Sequence, residues 1–277
     1  MQDEEGQRVE LLADIDRPGG WLLLMDRIRQ SYVDLDDPSY LDFEYVQAFA
    51  DVIDALPAGP LAVTHVGGGA LTLARYIATS RPGSPQIVLE PDEQVTALVR
   101  AKLPLPRGHK VRVRPVEGRA GLVALKDASA DVVVVDAFAG GRVPASLTTA
   151  EFFADVARVL RPDGVVLANL PDGGPGFGAG HWYIRRAATA ARDVLPEALL
   201  RADPAVFKGR RFGNITLAAS RAELPVTAVV RTAAAAPFPQ RVLAGDELDR
   251  FVDRAAPFTD ADPQRSPSPP DELWRVV

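Results

Sequence analysis

With 277 residues, 47% hydrophobic and 25% charged, the chain has the composition of an ordinary soluble globular protein, long enough for one large domain or a domain with a small appendage. A formal net charge of -6 argues against broad binding of a phosphate backbone, and the absence of cysteine excludes disulfides, thiolate zinc sites and cysteine nucleophiles. His65, His109 and His181 stand far apart in no ligand spacing, so no metal site is expected. The first ten residues, MQDEEGQRVE, are acidic and lack the apolar core of a secretory signal, and no apolar run approaches membrane-spanning length. The expected location is the cytoplasm, with no membrane or nucleic-acid partner.

Residues 7 to 35 read as short strands. Val9 to Leu12 is followed by a polar turn, Asp16 to Gly20, and Trp21 to Met25 supplies a second apolar run able to pair with the first as a hairpin. Gln30 to Leu35 continues the pattern, which predicts a small antiparallel N-terminal β-domain over residues 1 to 38. Asp36, Asp37 and Pro38 break the last strand. Tyr40 to Leu56 then carries apolar residues at helical spacing and stops before Pro57 and Gly59.

The stretch Leu61 to Glu90 holds most of the functional information. Leu61 to Val66 is a buried-strand pattern, followed at once by Gly67, Gly68 and Gly69. Leu71, Leu73, Ala74, Ile77 and Ala78 then recur at helical spacing, and a second strand, Ile87 to Leu89, ends on Glu90. Glycines let the backbone approach a ligand closely, the first turn of a helix offers free N–H groups, and an acid about twenty residues on is placed to accept hydrogen bonds from ribose hydroxyls. The dinucleotide fingerprint G-x-G-x-x-G is not matched, because its third glycine position is Thr72. A ligand with one nucleoside and no pyrophosphate fits better. A glycine turn also serves where a helix simply packs close to a sheet.

Val95 to Leu103 reads as a helix closed by Pro104 and Pro106. Val111 to Val116 is a strand with Glu117, Gly118 and Arg119 just past its end, and the nearly unbroken apolar run Asp131 to Val135 is a strand covered on both faces, closed by Asp136. Thr148 to Leu160 carries a helix pattern with Thr148 or Thr149 as cap, Gly164 to Leu170 is a strand, and Pro171 to Gly180 is a glycine-rich loop. A helix over His181 to Leu195 precedes strands at Ala198 to Ala202 and Asn214 to Ala219, with a solvated basic turn, Phe207 to Asn214, between them. From Phe258 to residue 277 the tail is rich in Pro, Ser and Asp and is expected to be weakly ordered. This rhythm predicts an α/β fold with a mostly parallel sheet over residues 39 to 257. Ligands in such sheets sit beyond the carboxyl ends of the strands, where Gly67 to Gly69, Glu90, Glu117 and Asp136 all fall.

The segments QSYVDLDDP, VTHVGGGALTLARY, VLEPDE, DVVVVDAF and RRFGN, in that order, resemble the spermidine synthase (polyamine aminopropyltransferase) family, especially the spermidine synthase-like proteins of high-GC bacteria. The resemblance covers about residues 8 to 220. It implies a Rossmann-like, class I methyltransferase-type sheet behind the small N-terminal β-domain, a donor that is decarboxylated S-adenosylmethionine, an amine acceptor, and a homodimer or homotetramer. Carried over by position, Gly67, Gly68 and Gly69 border the donor, Glu90 takes the ribose hydroxyls, and Glu117 with Gly118 stands where the family contacts the adenine amino group. Gln30 lies near the sulfonium side. Asp136, beside the donor, matches the first acid of the family's D-S-S/T-D motif, credited with activating the acceptor amine.

The chain departs from that pattern at three places. Ala70 replaces an Asp after the glycines, Ala139 replaces the second acid of the motif, and Asp42-Phe43 before Glu44 replaces a Tyr-His pair. Burying a cationic amine beside alanine and phenylalanine costs desolvation without compensation, so the nucleoside half reads as retained and the polyamine half as rebuilt. Three functions are compatible with these residues: aminopropyl transfer, methyl transfer from S-adenosylmethionine, and non-catalytic nucleoside binding. The plainer alternatives are a turn cap for Asp136, solvated acids for Glu90 and Glu117, an exposed strand residue for Gln30, a core residue for His65, and helix packing for His181, Trp182 and Tyr183. Phe138 is a candidate wall of an apolar acceptor pocket.

Overall fold

The computed structural model describes residues 8–173, 180–238 and 240–270. Strands β1 (Val9–Ala13), β2 (Gly20–Met25) and β3 (Ile28–Asp34) form an antiparallel meander, as expected from the apolar runs. The β2–β3 turn uses Asp26 and Arg27 at φ 51° and 65°, the left-handed pair that matches the twist of a tight hairpin. Leu23 and Val33 seat this small sheet against the helices that flank the glycine turn.

Helix α1 (Glu44–Ala55) leads into β4 (Val63–Val66), α2 (Thr72–Ser80), β5 (Gln86–Leu89), α3 (Glu93–Lys102), β6 (Val111–Arg114), α4 (Gly118–Val123) and β7 (Ala130–Val135). Then follow α5 (Ala150–Val159), β8 (Leu160–Asn169), α6 (Trp182–Arg192), β9 (Glu197–Ala202), α7 (Pro204–Phe207), β10 (Thr216–Ser220), α8 (Val226–Ala235), β11 (Arg241–Ala244) and α9 (Asp246–Val252). Among the described residues eight strands form the main sheet, in the order β11-β9-β10-β8-β7-β4-β5-β6. The five from β8 to β6 are parallel, and β10, β9 and β11 extend the sheet antiparallel.

Side-chain alternation along the strands divides the core. Val63, Val132, Val134 and Leu167 face α1, α2 and α8, whereas Val66, Val133, Val135 and Ala168 face α4, α5 and α6. Burial on both faces is why these strands read as continuous apolar runs rather than alternating ones. Asp92 caps α3 through the N–H groups of Gln94 and Val95, and Thr149, of the two threonines considered, caps α5 through Phe152.

Three expectations change. The predicted helix from Tyr40 starts only at Glu44, because Phe43 is extended and the Tyr40 N–H closes a turn onto the carbonyl of Asp37. Residues 221 to 257, which show no strand or helix pattern in the sequence, form α8, β11 and α9 and complete the antiparallel side of the sheet. The tail is anchored at intervals rather than loose: residues 260 to 265 are exposed, but Phe258 and Ser266 are fully buried, and Asp260 takes a forked ion pair from Arg119 at 2.6 Å. Composition averages over the prolines and misses these few anchors. The basic turn is exposed at Lys208, Arg210 and Arg211, as read from its charge. Of the glycine-rich loop, residues 174 to 179 lie outside the described residues, as do 271 to 277 of the tail. No helix among the described residues is long and apolar enough to cross a membrane.

Candidate active site

Register aligns the rim of the sheet. Val66 lies opposite Leu89 and Val135, and Ala168 lies opposite Val135, so the next residues, Gly67, Glu90, Asp136 and Asn169, stand level at the carboxyl ends of four adjacent strands. A cavity of about 330 Å³ opens along this rim. Gln30, Gly67, Gly68, Gly69, Glu90, Glu117, Gly118 and Asp136 all line it.

The glycine turn is enforced by close approach. A Cβ on Gly67, at φ +94°, would stand 2.1 Å from the carbonyl oxygen of Asp136, and one on Gly69, at φ +48°, 2.4 Å from the hydroxyl of Ser31. Only glycine lets β4 turn away beside β7 while β3 crosses in front. The Ser31 hydroxyl also accepts the N–H of Ala70 at 3.2 Å, and Thr72 donates to the carbonyl of Tyr32 at 2.8 Å, so the N-terminal sheet is fastened to the turn.

Glu90 is set by backbone donors. One carboxylate oxygen accepts the N–H of Gly68 at 2.9 Å and, more weakly, that of Gly69 at 3.4 Å; the other accepts the N–H of Asp92 at 3.0 Å. The oxygen bonded to Asp92 keeps a lone pair for a ligand hydroxyl, whereas the other is already shared by two N–H groups. Glu117 stands exposed at the start of α4, three strands along from Asp136.

Asp136 is half-buried and held from two sides. Tyr45 donates its phenolic hydrogen at 3.0 Å and Asn169 donates an amide hydrogen at 3.1 Å. Burial pushes its pKa up to about 6, against the opposing pull of the Asn169 and Tyr45 hydrogen bonds. Burial, followed by the neighbouring Asp136 charge, keeps the Tyr45 phenol well above its ordinary range and therefore a donor. Next to this group the wall is aromatic: Phe43 and Phe49 pack on Tyr45 at ring distances of 5.9 and 5.8 Å, and Phe138 also lines the cavity.

His65 lines the cavity from β4, bonded through Nε2 to Gln86 at 2.8 Å, and burial lowers its pKa to about 4. It is a neutral core histidine at the floor of the site. His181, Trp182 and Tyr183 are elsewhere. His181 bonds the carbonyl of Val206 at 2.7 Å, and the two aromatics pack on Phe258. Tyr45 and Asn169 do not stand out in the sequence as site residues. Asn169 carried a usable signal, a polar residue closing an apolar strand like Asp136. Tyr45 carried none, since it sits among the apolar positions of α1. No group of three or more His, Asp or Glu in a metal-holding arrangement occurs among the described residues.

A glycine turn, two strand-end acids and a helix-covered parallel sheet place the chain in the class of Rossmann-like, methyltransferase-type proteins. Human methyltransferase-like protein 13 shares that fold alone, at 19% identity and a TM-score of 0.54 over 79% of this chain and 96% of that one. A probable spermidine synthase from Corynebacterium glutamicum superposes with a TM-score of 0.85 at 31% identity, covering 94% of this chain and 95% of that one. The polyamine aminopropyltransferase of Chromobacterium violaceum is 33% identical over 141 residues, 50% of this chain and 53% of that protein. The chain thus spans about half the length of the curated relatives it matches. No family model matches it. The chain belongs to the spermidine synthase-like family.

Proposed function

We propose that this protein transfers an aminopropyl group from decarboxylated S-adenosylmethionine to an amine. The observation that carries the reading is Asp136, a carboxyl with its pKa near 6, on the same rim as Glu90 and the glycine turn. The amine nitrogen attacks the carbon beside the sulfonium sulfur. The C–S bond breaks with its electron pair going to sulfur, leaving neutral methylthioadenosine, and the nitrogen's surplus proton passes to Asp136. A carboxylate with a raised pKa is still largely ionised at neutral pH and is a stronger base than an ordinary one. Holding the two reactants in line supplies the remainder of the acceleration.

In this reading the glycine turn borders the adenosyl group, Glu90 takes the ribose hydroxyls, Glu117 and Gly118 bound the adenine, and Gln30 faces the sulfonium side. The lining charges favour the decarboxylated donor. Among the described lining residues, Glu90, Glu117 and Asp136 face one arginine or lysine, Arg29, itself paired with Asp42 at 2.8 Å. A sulfonium with a cationic amine tail suits that balance better than one whose tail also bears a carboxylate. A cytoplasmic homodimer or homotetramer completes the proposal, and light scattering on the eluting protein tests the assembly.

Incubation with the decarboxylated donor and a panel of amines, followed by mass spectrometry, tests the activity. Amine-dependent release of methylthioadenosine is expected. Methyl transfer from S-adenosylmethionine, with no use of the decarboxylated donor, would overturn it.

A further inference from the structure

The acids of the cavity are unevenly placed. Glu90 follows β5 and Glu117 follows β6, on one side of the glycine turn, whereas Asp136 follows β7 on the other. Asp136 and Glu117 are three strand spacings apart, on the order of 14 Å. Toward β8, β10 and α1, the lining among the described residues contains no carboxylate besides Asp136.

The neighbouring acids on that side are engaged elsewhere. Asp42 pairs with Arg29, Glu44 takes the side-chain amide of Gln240 at 3.2 Å, and buried Asp172 takes the N–H groups of Gly173 and Ile184. The wall is instead Phe43, Tyr45, Phe49 and Phe138. A positive charge already occupies the face of Phe43, where the Arg29 guanidinium lies 5.2 Å from the ring centre. With that ring face already taken, a second ammonium there would meet a like charge and no carboxylate.

The reacting end is polar. Asn169, 2% exposed, gives its amide hydrogen to Asp136, while its carbonyl oxygen is buried without a hydrogen-bond partner among the described residues. The side-chain oxygen of Asn214 is likewise buried and unpartnered, and both residues line the cavity. Thr216 pairs with Asn169 across β10 and β8, bringing Asn214 into the same neighbourhood. Two unpartnered amide oxygens in the same cavity, one of them on the residue that bonds Asp136, match the N–H groups of a single amine.

We infer that the acceptor is a monoamine with an aromatic or bulky apolar body, rather than a diamine. Its nitrogen is held by Asp136, Asn169 and Asn214, and its body lies against Phe43, Tyr45, Phe49 and Phe138. This inference rests on the aminopropyl-transfer reading.

Calorimetry in saturating methylthioadenosine, titrating phenethylamine or putrescine, tests it without requiring turnover. Phenethylamine is expected to bind at least tenfold more tightly. Ala139→Asp, a change at an exposed loop position on the cavity wall, is expected to improve putrescine binding at least fivefold and to narrow the preference for phenethylamine. If methylthioadenosine binds but putrescine equals or exceeds phenethylamine, or neither amine binds, the acceptor class is wrong while the donor assignment stands. Absence of methylthioadenosine binding overturns both.

Discussion

Tyr45 donates its phenolic hydrogen to Asp136 across 3.0 Å, joining the first turn of α1 to the end of β7, 91 residues later in the chain. The family resemblance predicted the loss of a tyrosine just before Glu44, where Asp42 and Phe43 stand. A phenol nevertheless reaches the acid from the other side of Glu44. A hydrogen bond to a charged group is worth about 1.5–3 kcal/mol. In Tyr45→Phe the ionised form of Asp136 loses that support, so its pKa rises above about 6. The acid limb of the pH profile of kcat/KM is expected to move to higher pH, with a loss of about tenfold at pH 6; an unmoved limb would show that the phenol does not act on the acid.

Asp136→Asn separates stability from activity. The native carboxyl, with its pKa near 6, holds its proton more tightly than the unfolded one near 3.8, so its contribution to stability falls as pH rises through that window. Asparagine removes the desolvated charge and can still accept from Asn169. We expect a gain of about 1–3 kcal/mol at pH 7 and a loss of activity of at least about a hundredfold. His65 has the opposite slope: held neutral until about pH 4, it contributes stability that is present above its ordinary value of 6.5 and lost as pH falls toward 4. With the Asp136 slope removed, the stability of Asp136→Asn should rise between pH 4 and 6.5 more steeply than that of wild type, as read by urea melts across that range.

The segment from Phe258 holds a loop that forms part of the cavity wall. The Ser266 hydroxyl accepts the N–H of Val143 at 2.9 Å, and its carbonyl accepts from the Arg142 guanidinium at 2.6 Å, which pins the loop carrying Ala139, Gly141 and Pro144. Ser266→Ala leaves a buried N–H unpaired, a cost of about 1–3 kcal/mol. The amine KM is expected to rise several-fold, while affinity for methylthioadenosine changes by less than twofold. Equal losses of both would mean that the tail acts on the whole fold.

Gly67→Ala tests the turn itself. Its Cβ would overlap the backbone of Asp136, and the residue sits at φ +94°. Neither strand can give way within a fully buried sheet, so destabilisation of more than about 2 kcal/mol is expected in denaturant melts. A change below about 0.5 kcal/mol would refute the tight packing of β4 against β7.

Much of this arrangement was legible because parallel strands buried on both faces leave unbroken apolar runs, and the residues closing those runs mark the rim. Gly67, Glu90 and Asp136 each close such a run, which places them on the rim. Tyr45 is not marked in this way, because its role depends on a contact between distant elements rather than on periodicity. The packing of Phe258 and Ser266 was hidden for a related reason, since two anchors in a proline-rich segment do not alter its composition. Residues 221 to 257, which include the alanine-rich helix α8, lack the apolar rhythm that marks the parallel half, and they find their place only against β9 and α1.

Retention of an adenosyl group by Glu90 at the cavity rim is the central proposal. Titration calorimetry of methylthioadenosine into wild type and Glu90→Ala tests this most directly. Stoichiometric binding by wild type, weakened about tenfold to a hundredfold in the variant, is the predicted result. No binding by wild type, or equal affinity in the two proteins, would contradict it.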